Sequence, residues 1–173
     1  MNEFTQSFEL LTRNKNLVHD LVSLLEIPEE NILNAFTLSQ VGISLGIAKQ
    51  LTQPIGRSIA IKYLIEDLGN SKSIDEKINV GERLINKILP SYKSPLIQFV
   101  STSSKIKKSI ASTITGFSAY CISTLIQKQL IKSTDLNQLL TILIEDTWKL
   151  VPMLSAKDID FLGVSQVFQL QRN

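Results

Sequence analysis

The side chains able to do chemistry are few. His19 is the sole histidine and Cys121 the sole cysteine among 173 residues, so the His/Cys ligand sets of ordinary structural metal sites cannot be assembled. His19 stands beside Asp20 on a stretch with helical apolar spacing and reads as part of an amphipathic helix rather than as a catalytic base. Cys121 lies within an apolar helical run, where a thiol behaves as a small hydrophobe, and a lone cysteine cannot form an intramolecular disulfide. Four carboxylates recur as Glu66-Asp67 and Glu145-Asp146. If they met between two parts of the chain they could hold a divalent cation. Neighbours on a helix point about 100° apart, however, so one such pair alone chelates poorly. Glycine-rich phosphate loops, nucleophile elbows and zinc-ligand spacings are absent from the sequence. The expectation is a protein with no enzymatic activity and no cofactor.

One basic run has a chemistry of its own. Ser103-Ser104-Lys105-Ile106-Lys107-Lys108 is expected at the start of a long helix running from about Ser104 to Ile131. Two hydroxyls, three ammonium groups and free backbone N–H groups there would suit a phosphate, a carboxylate or an acidic partner. Lysines at a helix start oppose its dipole. The plainer reading is a solvated lysine cluster, the usual fate of a charge run.

The elements that position these residues follow from an internal repeat. A shift of 79 residues places Ile43-Ser44-Leu45-Gly46-Ile47-Ala48-Lys49-Gln50-Leu51 on Ile122-Ser123-Thr124-Leu125-Ile126-Gln127-Lys128-Gln129-Leu130, with identity at six of nine positions. In the same register Leu64-Ile65-Glu66-Asp67 falls on the identical Leu143-Ile144-Glu145-Asp146, Ser39 on Ser118, and Ile27 on Ile106. Two separated blocks in one register point to duplication. The first copy is taken as residues 1–72 and the second as 73–173, with a polar C-terminal tail. The register also exposes an asymmetry: Glu26, Pro28 and Glu29 correspond to Lys105, Lys107 and Lys108. One helix start is acidic and its counterpart basic. An acidic end of one molecule meeting the basic end of another would build chains or rings.

Each copy reads as about four helices. Phe4, Phe8 and Leu11 recur at helical spacing, and Leu17, Val18, Leu21, Val22, Leu24 and Leu25 form an apolar stripe ending near Glu26. Pro28 with Glu29 and Glu30 opens a helix to about Leu51, and Pro54 opens another that Gly69-Asn70 stops. Ile74 to Leu89 follows, with a break bracketed by Pro90 and Pro95; Thr134-Asp135 starts a further helix, and Ser155 caps a last short one. Period-two alternation is missing, so the fold class is all-α, two tandem copies of an approximately four-helix unit packed as one bundle.

Residues 31–48 and 109–127 carry no charge, and the second is near the length needed to cross a bilayer. Their many Ser, Thr, Asn and Gln side chains favour central helices of a soluble bundle, with membrane association as the alternative. Gly42 and Gly46 form a small-xxx-small pair at which the two central helices are expected to cross. Net charge is only +2, which gives no overall pull toward nucleic acid. The N-terminal residues do not read as a secretory signal, and the expected compartment is the cytoplasm. A protein partner, or a second copy of the chain, is the expected ligand.

Two passages resemble the YidB-like family of small bacterial helical proteins of unknown function. Residues 24–35, followed by Gly46-Ile47-Ala48-Lys49-Gln50, are similar to that family's first helix pair. Lys128-Gln129-Leu130 through Asp135-Leu136 to Leu139-Leu140 is similar to its lysine-glutamine, leucine-aspartate and double-leucine segment. The resemblance implies a helical fold in a bacterial protein and brings no chemistry or functional residues with it.

Overall fold

A computed structural model describes residues 15–66, 73–132 and 154–165, together with Thr141, Glu145, Thr147, Lys149 and Pro152. The described residues form seven helices: α1 (Lys15–Leu25), α2 (Glu29–Leu51), α3 (Pro54–Leu64), α4 (Ile74–Ile88), α5 (Lys93–Ser104), α6 (Lys108–Lys132) and α7 (Ala156–Phe161). They contain no strand. The helices expected around Phe4 and from Thr134 fall outside the described residues, as do Trp148 and Asp67-Gly69-Asn70.

Local chemistry sets the starts. Pro28 N-caps α2, and Glu29 and Glu30 occupy its first turn, where a carboxylate meets the positive end of the helix dipole. Pro54 is the first residue of α3. Ser73 and Ser155 each close a capping box, with Glu76 and Asp158 respectively, satisfying helix N–H groups that would otherwise lack acceptors. Pro95 lies inside the first turn of α5 rather than in a break, a position at which proline forfeits no helical hydrogen bond.

α2 and α6 are the central helices. Phe36 and Phe117 pack at 6.0 Å between ring centroids, and the Ser39 and Thr115 hydroxyls hydrogen-bond at 3.1 Å inside the core. Asn31, in the first turn of α2, donates to the carbonyl of Ser104, just before α6 begins. Asn31 and Ser104 bring the beginnings of the two helices together, with the Phe36–Phe117 and Ser39–Thr115 contacts further along both, so α2 and α6 run parallel. α5 lies antiparallel to α2, with Leu96 against Gly42 and Tyr92 against Gly46. Several hydroxyls of the two central helices are absorbed locally: Thr37, Thr113, Ser118 and Thr124 each donate to the carbonyl four residues earlier.

The glycine pair expected between the central helices therefore serves a different contact. Gly42 and Gly46 admit side chains of α5 and of the turn before it, not α6. The closest backbone approach is instead between α4 and α6, where Gly81 faces the carbonyl of Gly116 and Gly116 faces the carbonyl of Ile78. A methyl group at Gly81 would collide with main chain, which cannot swing aside as a side chain can. Gly81→Ala should thus cost about 1–3 kcal/mol and lower the melting temperature by about 2–12 °C. A melt indistinguishable from the wild type in circular dichroism would contradict this α4–α6 contact.

Candidate functional site

The basic run is not a helix start throughout. α5 extends to Ser104, Lys105 adopts the left-handed conformation (φ 55°), and α6 begins at Lys108. The Ile106 N–H reaches back to the Ser101 carbonyl at 3.1 Å while the Ser101 hydroxyl donates to the Ile106 carbonyl at 2.7 Å. This is the Schellman pattern that ends a helix. The expected single helix from Ser104 is accordingly corrected to two helices and a tight turn. Ser103 and Ser104 sit at the carbonyl end of α5, not among free N–H groups. Ser104 is also buried, with its hydroxyl unpaired and closed off from solvent. Lys105, Lys107 and Lys108 are exposed, so three ammonium groups remain on this surface while the serines contribute little to it.

The acidic counterpart has a similar course but a different closure, the Glu26 N–H bonding the Val22 carbonyl at 2.9 Å in the simpler left-handed cap. α1 ends at Leu25, Glu26 is left-handed (φ 53°), and α2 begins at Glu29. Glu26 and Lys105 are the only non-glycine residues with positive φ among the described residues, and they are 79 positions apart. Glu26, Glu29 and Glu30 are exposed, while Ile27 and Ile106 are half-buried at equivalent places in the two turns. Because α2 and α6 are parallel, and Asn31 bonds to Ser104, the acidic and basic turns lie at one end of the molecule. None of these six charged side chains makes an ion pair within the described residues.

Beside the basic turn, α5 and α7 enclose a cavity of about 300 Å³, lined by Gln98, Phe99, Thr102, Ser103, Lys157, Asp158 and Phe161. The Asp158 carboxylate is occupied in the Ser155 capping box. That leaves an apolar recess with the Lys157 ammonium among its lining residues, and no nucleophile paired with a base.

Comparison with protein-family models, with curated proteins and with solved structures gives no match.

The remaining sequence candidates are dispersed. His19 and Asp20 are exposed on α1. Glu66 lies 3.6 Å from Lys87, whose ammonium also sits 4.6 Å from the centre of the Tyr63 ring, and Glu145 is exposed. Asp67 and Asp146 lie outside the described residues. Among the described residues no three His, Cys, Asp or Glu side chains are grouped to hold a metal ion.

Cys121 is half-buried on α6 and packs against the core. Burial pushes its thiol up to about 12, an effect that nearby Lys77 partly opposes. Burial raises the Tyr92 phenol as well. Both groups hold their protons longer in the folded chain than in the unfolded one. Stability is therefore unaffected below about pH 8, falls above about pH 9 as the unfolded thiol ionises, and falls further above about pH 10 as the unfolded phenol does, by up to about 1.4 kcal/mol per pH unit for each group. Since the thiolate is the nucleophile, native Cys121 should react with iodoacetamide at pH 8 at least about a hundredfold more slowly than the urea-unfolded chain. Equal rates, followed by mass spectrometry, would show an accessible thiol.

Proposed function

We propose that this protein is a non-catalytic interaction or scaffold protein made from a duplicated helical unit. The observation that carries the reading is the equivalence of two helical hairpins. α1–α2 and α5–α6 keep the register of the sequence repeat: Glu29 and Lys108 each begin a central helix, and Glu26 and Lys105 share one unusual backbone conformation. Burial follows the same register, with Ser39 and Ser118, Ile43 and Ile122, and Ser44 and Ser123 all inside. Such coincidence at termini, turns and interior positions is what a duplication leaves behind. Retention of the two backbones with opposite charges on their turns points to surfaces that differ in partner rather than in structure. We also read the chain as a cytoplasmic bacterial protein akin to the YidB-like family, on the strength of the passages quoted above.

The test is affinity capture with the purified protein as bait. The wild type should retain a stoichiometric acidic protein partner that the Lys105→Glu/Lys107→Glu/Lys108→Glu variant loses. Equal retention by both would remove the lysine turn from the reading, and retention of nothing by either would remove a separate protein partner and leave only self-association.

A second reading, membrane association, draws on α2 and α6, both long and apolar enough to cross a bilayer. The apolar window of α2 is 72% buried inside the protein and that of α6 is 56% buried. Exposing them to lipid would require opening the core. The protein should remain unbound in flotation with phosphatidylglycerol-containing vesicles, and comigration with the vesicles would reverse the order of the two readings.

A further inference from the structure

The placement of the two charged turns limits what can bind there, and the argument rests on the duplicated-unit reading above. With α2 parallel to α6, and Asn31 bonded to Ser104, both turns open on the same end of the molecule. They have a similar backbone course, with a left-handed residue, then an isoleucine, then the start of a central helix. Only their charges are opposed. One half of the end carries Glu26, Glu29 and Glu30, and the other half carries Lys105, Lys107 and Lys108. All six are exposed, and within the described residues none is neutralised by an ion pair.

Such an end is complementary to itself. A twofold axis perpendicular to the helices turns one copy over onto another, laying each acidic turn on a basic turn of similar shape. An isologous contact of this kind satisfies both turns at once and closes after two copies. A separate acidic protein would satisfy only the lysines, and a separate basic one only the glutamates. We infer that this end of the molecule is a self-association surface, on which two copies form a closed dimer with the acidic turn of each against the basic turn of the other. Because the two turns lie side by side, this contact closes after two copies instead of building the chains or rings expected of an acidic end meeting a basic end.

Exposed ion pairs are individually weak and screened by salt, so this dimer is a salt-sensitive one. Sedimentation velocity over a range of protein concentrations tests it. The wild type should show a monomer–dimer equilibrium without larger species. Its dissociation constant should rise at least about tenfold between about 0.01 M and 1 M salt, as the screening length falls from about 30 Å to about 3 Å. The variants Glu26→Lys/Glu29→Lys/Glu30→Lys and Lys105→Glu/Lys107→Glu/Lys108→Glu should each be monomeric alone and should pair when mixed. Combining all six substitutions exchanges the two charges and should restore the homodimer. That restoration also guards against loss of association by misfolding. A wild-type monomer at every concentration and salt, growth beyond the dimer, or failure of the two triple variants to pair would overturn the inference. Any of those results would leave the broader interaction reading standing, since capture of a different protein tests that separately.

Discussion

The parallel contact of α2 with α6 is the constraint on which the rest of the architecture depends. Each helix is apolar around much of its circumference and would be insoluble alone, yet each carries serines and threonines that a lipid-facing or dry hydrocarbon contact would penalise. Burying them together works because Thr37, Thr113, Ser118 and Thr124 turn to their own helix backbone and Ser39 and Thr115 use each other, while the buried Ser44 hydroxyl is left unpaired. The core that results is anchored by Phe36, Phe117, Ile32, Ile114 and Leu45. The other helices complete the coverage: α1 and α3 against α2, α4 against α6, α5 against both, and α7 against α5.

The helical class and most helix termini were legible in the sequence because they rest on local chemistry. Pro28 with its two following glutamates, Pro54, and the Ser155 cap each act within one turn of chain, and each stands where the pattern placed it. The turn at Lys105 was not legible, because no glycine or proline marks it. A left-handed lysine is costly on its own and is held by the bonds between residues 101 and 106, which sequence does not display. The one available clue was the repeat itself: the break between Glu26 and Glu29, carried forward by 79 residues, falls on Lys105 to Lys108.

The glycines illustrate a different limit. Spacing identifies a small pair such as Gly42 and Gly46 as a place of close approach, but not what approaches. There the partners are the Leu96 and Tyr92 side chains, whereas the true main-chain contact joins Gly81 and Gly116 from helices with no shared small-residue motif. The candidate surface was similarly half visible. The lysines were evident, and so was their opposition to the glutamates. That both sets occupy one end depended on helix direction, a property of tertiary packing alone.

The parallel arrangement of α2 and α6 also has a kinetic side. Parallel helices cannot be joined by a short loop, so the chain must travel back through α3, α4 and α5 before the second central helix can be laid beside the first. Hairpins such as α1–α2 and α5–α6 close over short distances, but the central seam must await most of the chain. Closing the longer loop adds only slowly growing entropy, since each doubling of length costs about 0.6 kcal/mol, yet non-local contacts of this kind slow folding relative to a simple up-and-down bundle. The order of assembly follows: hairpins form early, each with an apolar face uncovered, and their joining along the Ser39–Thr115 seam completes the core.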